Sequence, residues 1–389
     1  MDVNVLTSTQ QETGSPDDTV KPLFETSSGE RVYRNENTIV VRLQKNHNCL
    51  ITSYVNGGYS ENLEAVFNHQ PPPTEGCRSE DMEGGSVEAY IRIHARKLGL
   101  NPDKVAAMMT AAKMKNAAIA TRSFRTLEVT AIVTAGIEVN GGRAGDPASW
   151  HEENGKSVYV GGTIVTILII NAHLPAHALT RAVMTATEAK TVAIQQLMAP
   201  SKYSTGIATG SGTDQICVIS AMDSSDVLTW TGKHSKVGEL IALCVIEATT
   251  KALELQTGLC ADSQRDMLVR MERYGIDEKR YWEVASSPSF DGENRKAPFI
   301  RTLREFAKNP AIVAMTASIL HICDEVSWGL VPEPAGKRAA LSMMKGLPGL
   351  AGMQREPDWG WMLDEKKSIP ENWIRLGAWC VKNTCGENK

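Results

Sequence analysis

The sequence predicts an α/β fold, a layered mixed-sheet domain followed by a mostly helical C-terminal extension. Three observations carry this. Strand, glycine-loop and helix patterns alternate between residues 21 and 258. The stretch 163–172 is apolar almost throughout (Ile164, Val165, Ile167, Leu168, Ile169, Ile170), as befits a strand covered on both faces. Six of the eight Trp (Trp282, Trp328, Trp359, Trp361, Trp373, Trp379) lie beyond residue 280, so the last third follows a different recipe. The expected organisation is a disordered polar tail at 1–20, an α/β domain at 21–258 and a helical extension at 259–389.

Each element has a local reason. Residues 21–25, 30–34 and 38–43 alternate or carry β-branched side chains around Ser27-Ser28-Gly29, which predicts a hairpin and a following strand. Residues 49–55 read as a strand ending at Asn56-Gly57-Gly58. Gln70-Pro71-Pro72-Pro73 is a loop, since proline there continues neither a ladder nor a helix. Residues 86–98 and 102–114 read as two short helices parted by Gly99 as a C-cap. Residues 125–136, 157–160 and 163–172 read as strands. Residues 174–197 form the clearest helix, with Leu174, Leu179, Val183, Ala186, Ala193 and Leu197 spaced near the helical period and Pro175 in the first turn. Strands at 215–221 and 227–231 follow, then a helix at 236–255. Beyond 259, helices are expected at 311–326, 337–345 and 371–382.

Composition sets aside several classes. A chain of 389 residues is ample for two domains, and a net charge of −4 gives no large electrostatic grip on nucleic acid or anionic lipid. No apolar run reaches the roughly 18 residues that a membrane helix needs. Residues 1–18 are polar and acidic, without the pattern of a secretion signal. The eight Cys are dispersed with no CxxC pair, which suits reduced thiols in a cytoplasm. The Trp and Met of the extension (Met343, Met344, Met353, Met362) pack a helical core, or else cover a planar ligand or partner.

Four loops concentrate glycine with small polar residues: Asn56-Gly57-Gly58, Asn140-Gly141-Gly142-Arg143-Ala144-Gly145-Asp146, Gly161-Gly162-Thr163, and Ala208-Thr209-Gly210-Ser211-Gly212-Thr213-Asp214. Glycine lets a ligand approach the backbone, so that N–H groups can face an anion or an oxyanion. The last loop leads into a strand and lacks the phosphate-loop lysine and the dinucleotide fingerprint. Asp214 at its end is an acid/base candidate or a cap for turn amides. On the 174–197 helix, Thr187 and Lys190 share a face, whereas Glu188 and Lys190 do not. His234, between Lys233 and Ser235 at a helix start, is a proton-transfer candidate. Pro175 in the first turn places His173 before the first full turn, so His173 and His177 do not make a metal pair, and no metal is expected.

These loops, in this order and together with Thr110-Ala111-Ala112, Thr134-Ala135-Gly136, Thr187-Glu188-Ala189-Lys190 and Gly232-Lys233-His234-Ser235-Lys236-Val237-Gly238-Glu239, resemble the adenosylcobinamide amidohydrolase family over residues 22–255. The sequence departs from the family pattern where Val165 stands in place of an Asn, and where Ser211 replaces a Thr. The resemblance implies hydrolysis of the amide joining aminopropanol to a corrin propionate, giving adenosylcobyric acid in corrinoid salvage. On this reading Glu188, Lys190, Asp214 and His234 carry catalysis. Glu188 or Asp214 would activate water, His234 would protonate the leaving amine, and Lys190 would stabilise charge. Backbone N–H groups of the 210–213 loop would form the oxyanion site, with Ser211 and Thr213 as spare nucleophiles. Asn56, Gly57, Gly58, Asn140, Arg143, Gly162, Thr163, Thr187, Gly210, Ser211, Gly212, Thr213 and Ser235 would line the substrate. A corrinoid is then substrate or ligand, with no resident cofactor, no nucleic acid and no membrane, and a homo-oligomer is allowed. The alternative readings are a corrinoid- or tetrapyrrole-binding module without hydrolysis, or an amidase moved to another substrate. Thr-Glu-Ala followed by a glycine loop ending in Asp is also similar to self-processing aminopeptidases, an analogy that inclines the layered domain toward an αββα order.

Overall fold

The structure, a computed structural model, describes residues 4–5, 21–44, 46–72, 79–148, 162–290 and 294–387. The chain divides into two compact units, Met1–Cys260 and Ala261–Lys389. The division falls just after Gly258, which caps a helix in the left-handed conformation at φ 74°.

In chain order the first unit contains β1 (Asn4–Val5), β2 (Phe24–Glu25), β3 (Arg31–Arg34), β4 (Thr38–Arg42), β5 (His47–Ile51), β6 (Gly58–Ser60), β7 (Ala65–His69), α1 (Val87–Lys97), β8 (Val105–Met109), β9 (Ala118–Phe124), β10 (Leu127–Gly136), β11 (Gly141–Gly142), β12 (Thr163–Ile170), α2 (Ala176–Gln196), β13 (Gly210–Ser211), β14 (Gln215–Ala221) and α3 (Lys236–Thr257). Among the described residues, seven strands form one sheet in the order β1-β9-β10-β12-β14-β5-β6, and five form a second in the order β2-β3-β4-β7-β8.

Burial defines the layers. Ile164, Leu168 and Ile170 of β12 join a core with Leu179, Ala182 and Ala186 of α2 and Ile241, Val245 and Ala248 of α3. The alternate residues Val165, Ile167 and Ile169 join a different core with Ile39 and Val41 of β4, Val66 of β7 and Met108 of β8. A third core places Phe67 of β7 and Val105 of β8 against Ile91 and Ala95 of α1. Alternation along a strand thus assigns one face to the helices and the other to the second sheet. The order is helices, sheet, sheet, helix: an αββα sandwich. β12 is buried at every position, which is why its sequence shows no polar face.

Three readings need correction. Residues 102–114 are not a helix: Val105–Met109 is strand β8, parallel to β7 in the second sheet. A short apolar run buried on both faces carries no period that separates strand from helix. Residues 227–231 are not a strand either, since Val227 makes only an isolated bridge to His173. In the expected tail, Asn4 and Val5 pair with Ile119 and Ala118. Residues 1–3 and 6–20, and the strand expected at 157–160, lie outside the described residues.

Two buried polar clusters fix the layers. Glu30 and His47 are buried and ion-paired, joining the β2–β3 hairpin to strand β5. Burial opposes the Glu30 charge, but hydrogen bonds from His47, Thr26 and Ser28 outweigh it and hold the carboxyl below its usual range. Between the second sheet and α1, Thr38 Oγ1 lies 2.9 Å from His69 Nδ1 and 3.0 Å from His94 Nε2. His69 Nε2 meets the Tyr90 hydroxyl at 2.9 Å, and the His69 and His94 rings lie against each other, tilted by 32° with centroids 3.7 Å apart. Burial and then the adjacent His94 push His69 down to about 3, while burial and then Lys97 push His94 down to about 4.

The second unit contains α4 (Met267–Met271), α5 (Glu278–Ala285), α6 (Lys296–Ala307), α7 (Pro310–Ser327), α8 (Glu333–Met344), α9 (Leu347–Leu350), α10 (Trp359–Met362) and α11 (Ile369–Glu387). Trp373, Tyr281, Met344 and Met362 are fully buried in its core, whereas Trp328, Trp361 and Met343 are exposed. Arg273 makes a bidentate pair with Asp324 at 2.7 and 2.8 Å inside it. Among the described residues no single helix is long and apolar enough to cross a membrane.

The His69–His94 pair gives a signed expectation. Both folded-state values lie below the unfolded 6.5, so their contribution is complete above about pH 6.5 and is lost as pH falls toward 4. In urea melts, wild type should lose stability relative to His94→Gln across that window. Parallel pH profiles for the two proteins would contradict it.

Candidate active site

Strand direction builds the site. β12 and β14 are parallel, with Val165 beside Gln215, so both begin at the same end of the large sheet. β10 is antiparallel to β12 and ends there, Gly136 facing Thr163. The loops after β10, before β12 and before β14 therefore converge. Gly141–Gly142 and Gly210–Ser211 pair as a two-residue ribbon, which fastens two of the glycine loops to each other.

Asp214 is the hub of this end. Its Oδ1 accepts the Ser211 hydroxyl at 2.7 Å and the N–H of Ile164 at 3.2 Å. The N–H of Ser211 reaches both carboxylate oxygens at 3.1 Å. Lys190, from α2, completes the set with an ion pair to Oδ2, both side chains being mostly buried at 13% and 19% exposure. One carboxylate thus ties together α2, the start of β12 and the turn before β14. Gly210 is required here: a Cβ would lie 2.3 Å from Asp214 Oδ2 and 2.6 Å from Lys190 Nζ. Gly162 is required for two reasons, its φ of 94° and a Cβ position 2.5 Å from Asn140 Oδ1.

The remaining loop contacts are short and polar. The Thr213 hydroxyl donates to the Gly162 carbonyl at 2.7 Å, and the Thr163 hydroxyl donates to the Thr213 carbonyl. The Asn140 amide donates to the same Gly162 carbonyl. Thr191 Oγ1 donates to the Thr209 carbonyl at 3.0 Å, and Thr209 Oγ1 accepts the Ala144 N–H at 2.9 Å. Arg143 is exposed beside this loop, and its N–H donates to Asp146 at 2.8 Å. Burial alone would raise the Asp146 carboxyl; hydrogen bonds from Ser201, Ser204 and the Arg143 N–H hold it below its usual range.

The structure therefore brings together Lys190, Asp214, Gly210, Ser211, Gly212, Thr213, Asn140, Gly162, Thr163 and, beside them, Arg143. It places the other candidates elsewhere. Glu188 is exposed and pairs with Lys233 at 2.8 Å, on the opposite flank of α2 from Lys190. His234 is exposed at the start of α3. Ser235 is the N-cap of α3, accepting the Gly238 N–H at 3.2 Å and donating to the Gly232 carbonyl at 2.8 Å. Thr187 is exposed, and its hydroxyl donates back to Val183 within the helix. Asn56 braces the turn between β5 and β6, donating to the Val105 carbonyl at 2.8 Å, while Gly57 and Gly58 complete that turn. In the 210–213 loop the N–H of Ser211 is turned onto Asp214 and that of Thr213 onto Ser211 Oγ at 3.3 Å, so these two groups do not face outward. Val165 faces the second sheet, on the side of its strand away from α2. The N–H of Ile164 and the side chain of Thr191 also belong to the cluster, although neither is among the catalytic or substrate-lining candidates. Only the Thr187–Thr191 spacing of four hinted at the latter.

An αββα sandwich with a charged, glycine-lined cluster at one sheet end defines a class of layered α/β proteins with a site at the strand termini. Within that class, a family model described as adenosylcobinamide amidohydrolase matches residues 23–261, more than half of the chain. The chain belongs to the adenosylcobinamide amidohydrolase family and is accordingly a hydrolase by family. It is 37% identical over 228 residues to an uncharacterized protein of Methanocaldococcus jannaschii, covering 56% of this chain and 85% of that one. It is 28% identical over 214 residues to the adenosylcobinamide amidohydrolase of Methanosarcina mazei, covering 53% of this chain and 90% of that one. Among solved structures it is similar to a Pyrococcus horikoshii protein at TM-score 0.30 and 12% identity, covering 63% and 82% of the two chains. It is also similar to the L-aminopeptidase D-Ala-esterase/amidase of Ochrobactrum anthropi at TM-score 0.30 and 13% identity, covering 61% and 85%.

Gly210→Ala should force Lys190 and Asp214 apart. We expect a loss of about 1–3 kcal/mol in denaturant melts, the usual cost of overpacking, and a displaced Lys190 in a crystal structure. An unshifted melt with the ion pair intact would contradict the assigned contact.

Proposed function

We propose that this chain hydrolyses the aminopropanol amide of adenosylcobinamide, releasing adenosylcobyric acid for corrinoid salvage in the cytoplasm, and that the chemistry occurs at Ser211, Asp214 and Lys190. The observation that carries this is the 2.7 Å hydrogen bond from the Ser211 hydroxyl to Asp214 Oδ1, with the Lys190 ammonium on the other carboxylate oxygen. Family membership supports the reaction class.

Amide hydrolysis needs a nucleophile, a base for its proton, stabilisation of the oxyanion and a proton for the leaving amine. On this reading the Ser211 oxygen attacks the amide carbon as its proton passes to Asp214. Lys190, paired with Asp214, stabilises the oxyanion as a fixed positive charge. The C–N bond breaks and the amine departs with the proton from Asp214, leaving an ester on Ser211. Water then cleaves that ester, giving its proton through Asp214 back to the Ser211 oxygen, and the propionic acid is released. Thr213 is the weaker nucleophile candidate, because its hydroxyl proton is directed at a carbonyl rather than a carboxylate. Glu188 and His234 remain acid/base candidates for the exposed flank of α2, acting on substrate that lies across the helix. The other clustered residues shape the floor beneath the scissile amide.

The test is turnover of adenosylcobinamide by the purified full chain, with cobyric acid detected by mass spectrometry. Ser211→Ala and Asp214→Asn should each lower kcat by roughly 100-fold or more. Glu188→Gln and His234→Ala should each cost less than either, since Glu188 lies on the other flank of α2 and His234 is exposed at the start of α3. Wild type that binds the corrinoid without product would favour the non-hydrolytic module, and full activity in Ser211→Ala would replace the serine by directly activated water.

A further inference from the structure

α2 has two flanks, and the residues discussed so far meet both. Lys190 and Thr191 face the glycine loops, whereas Glu188 faces Lys233. Two turns before Glu188, on that same second flank, Arg181 lies over the Trp230 indole with its guanidinium carbon 3.9 Å from the ring centroid. Trp230 is 57% exposed, and Met184, between Arg181 and Glu188, is 58% exposed. Large apolar side chains displayed together at a surface are the usual sign of something that covers them. Among the described residues no carboxylate pairs with Arg181, so its N–H groups stay available around the ring. The backbone accommodates this arrangement, for the Cβ position of Gly232 lies only 3.2 Å from the indole nitrogen.

We infer that Trp230, backed by Arg181 and bordered by Met184, is the platform on which the flat face of the corrin macrocycle rests while one peripheral amide reaches the Ser211–Asp214–Lys190 end. This inference rests on the corrinoid reading given above. The chemistry fits. A macrocycle presents a broad apolar face, for which an open indole is the best-suited side chain, and a rim of amide carbonyls, which accept from guanidinium N–H groups. The geometry fits too. Trp230 and Lys233 are three residues apart in one segment, and they contact α2 at Arg181 and Glu188. Those two residues are seven positions, or about 10 Å, apart along the helix axis. A ligand lying across α2 would thus touch the aromatic at one side and the glycine loops at the other. A small linear amide would reach only the loops.

The experiment compares wild type, Trp230→Ala and Trp230→Phe as full chains. Adenosylcobinamide binding is read by equilibrium dialysis, and turnover by product formation. Because the indole is exposed, both variants should melt with wild type. Trp230→Ala should weaken binding and raise KM by roughly tenfold with kcat nearly unchanged, the pattern of lost uniform binding. Trp230→Phe should recover most of the affinity, since it restores a flat ring. Unchanged binding in Trp230→Ala, or a Trp230→Phe as weak as Trp230→Ala, would overturn the platform while leaving the hydrolase reading intact. Wild type that does not bind adenosylcobinamide would overturn both.

Discussion

The carboxylate of Asp214 is the point on which this end of the molecule depends. It closes the turn before β14, receives the Ile164 amide near the start of β12 and anchors Lys190 of α2. A mostly buried charge is costly unless it is paired and hydrogen-bonded, and here both conditions hold. The compactness of Gly210 and Gly162 follows from this demand, since any side chain at either position would occupy the space of the pair or of Asn140. The glycine loops are thus better understood as room made for a polar cluster than as freely exposed backbone.

The layers around that cluster supply its rigidity. β12, buried on both faces, is held by the helices on one side and the second sheet on the other. Its neighbour β14 is also braced across the sandwich, where the Gln215 amide donates to the Met109 carbonyl at 2.7 Å. A charged group positioned on strand termini and one helix, rather than on a long loop, is preorganised before substrate arrives. The polar network of Thr38, His69, His94 and Tyr90 pins α1 to the outer face of the second sheet at the β7 end. That network uses neutral imidazoles where the cluster at Asp214 uses full charges.

Much of this was legible in the amino-acid sequence, and the gaps have physical causes. The apolar run of β12 and the periodic stripe of α2 are long and unmistakable, so the central sheet and its covering helix were expected. Val105–Met109 shows no alternation, because its five apolar residues are buried on both sides, so the pattern there does not separate strand from helix. Ala65–His69 carries Asn68 and His69 inside a fully buried strand, and Ala118–Phe124 turns polar at Thr121 and becomes exposed toward its end, so neither shows a clean apolar or alternating run. At the site, the glycine loops converge because β12 and β14 are parallel, a fact of topology that no single motif announces. The separation of Glu188 from Lys190 was visible, since residues two apart on a helix point to different sides. That Glu188 would find Lys233, and that Trp230 would stack on Arg181, depended on how α3 approaches α2. Local sequence does not encode that approach.

On the proposed mechanism Lys190 and Asp214 act as one unit in catalysis. A double-mutant cycle on kcat/KM for adenosylcobinamide, using Lys190→Met, Asp214→Asn and the double variant, measures this directly. The account predicts strong non-additivity, with the double variant no worse than the poorer single one by more than about twofold. Losses that multiply across the two substitutions would show that the residues act independently, and would contradict it.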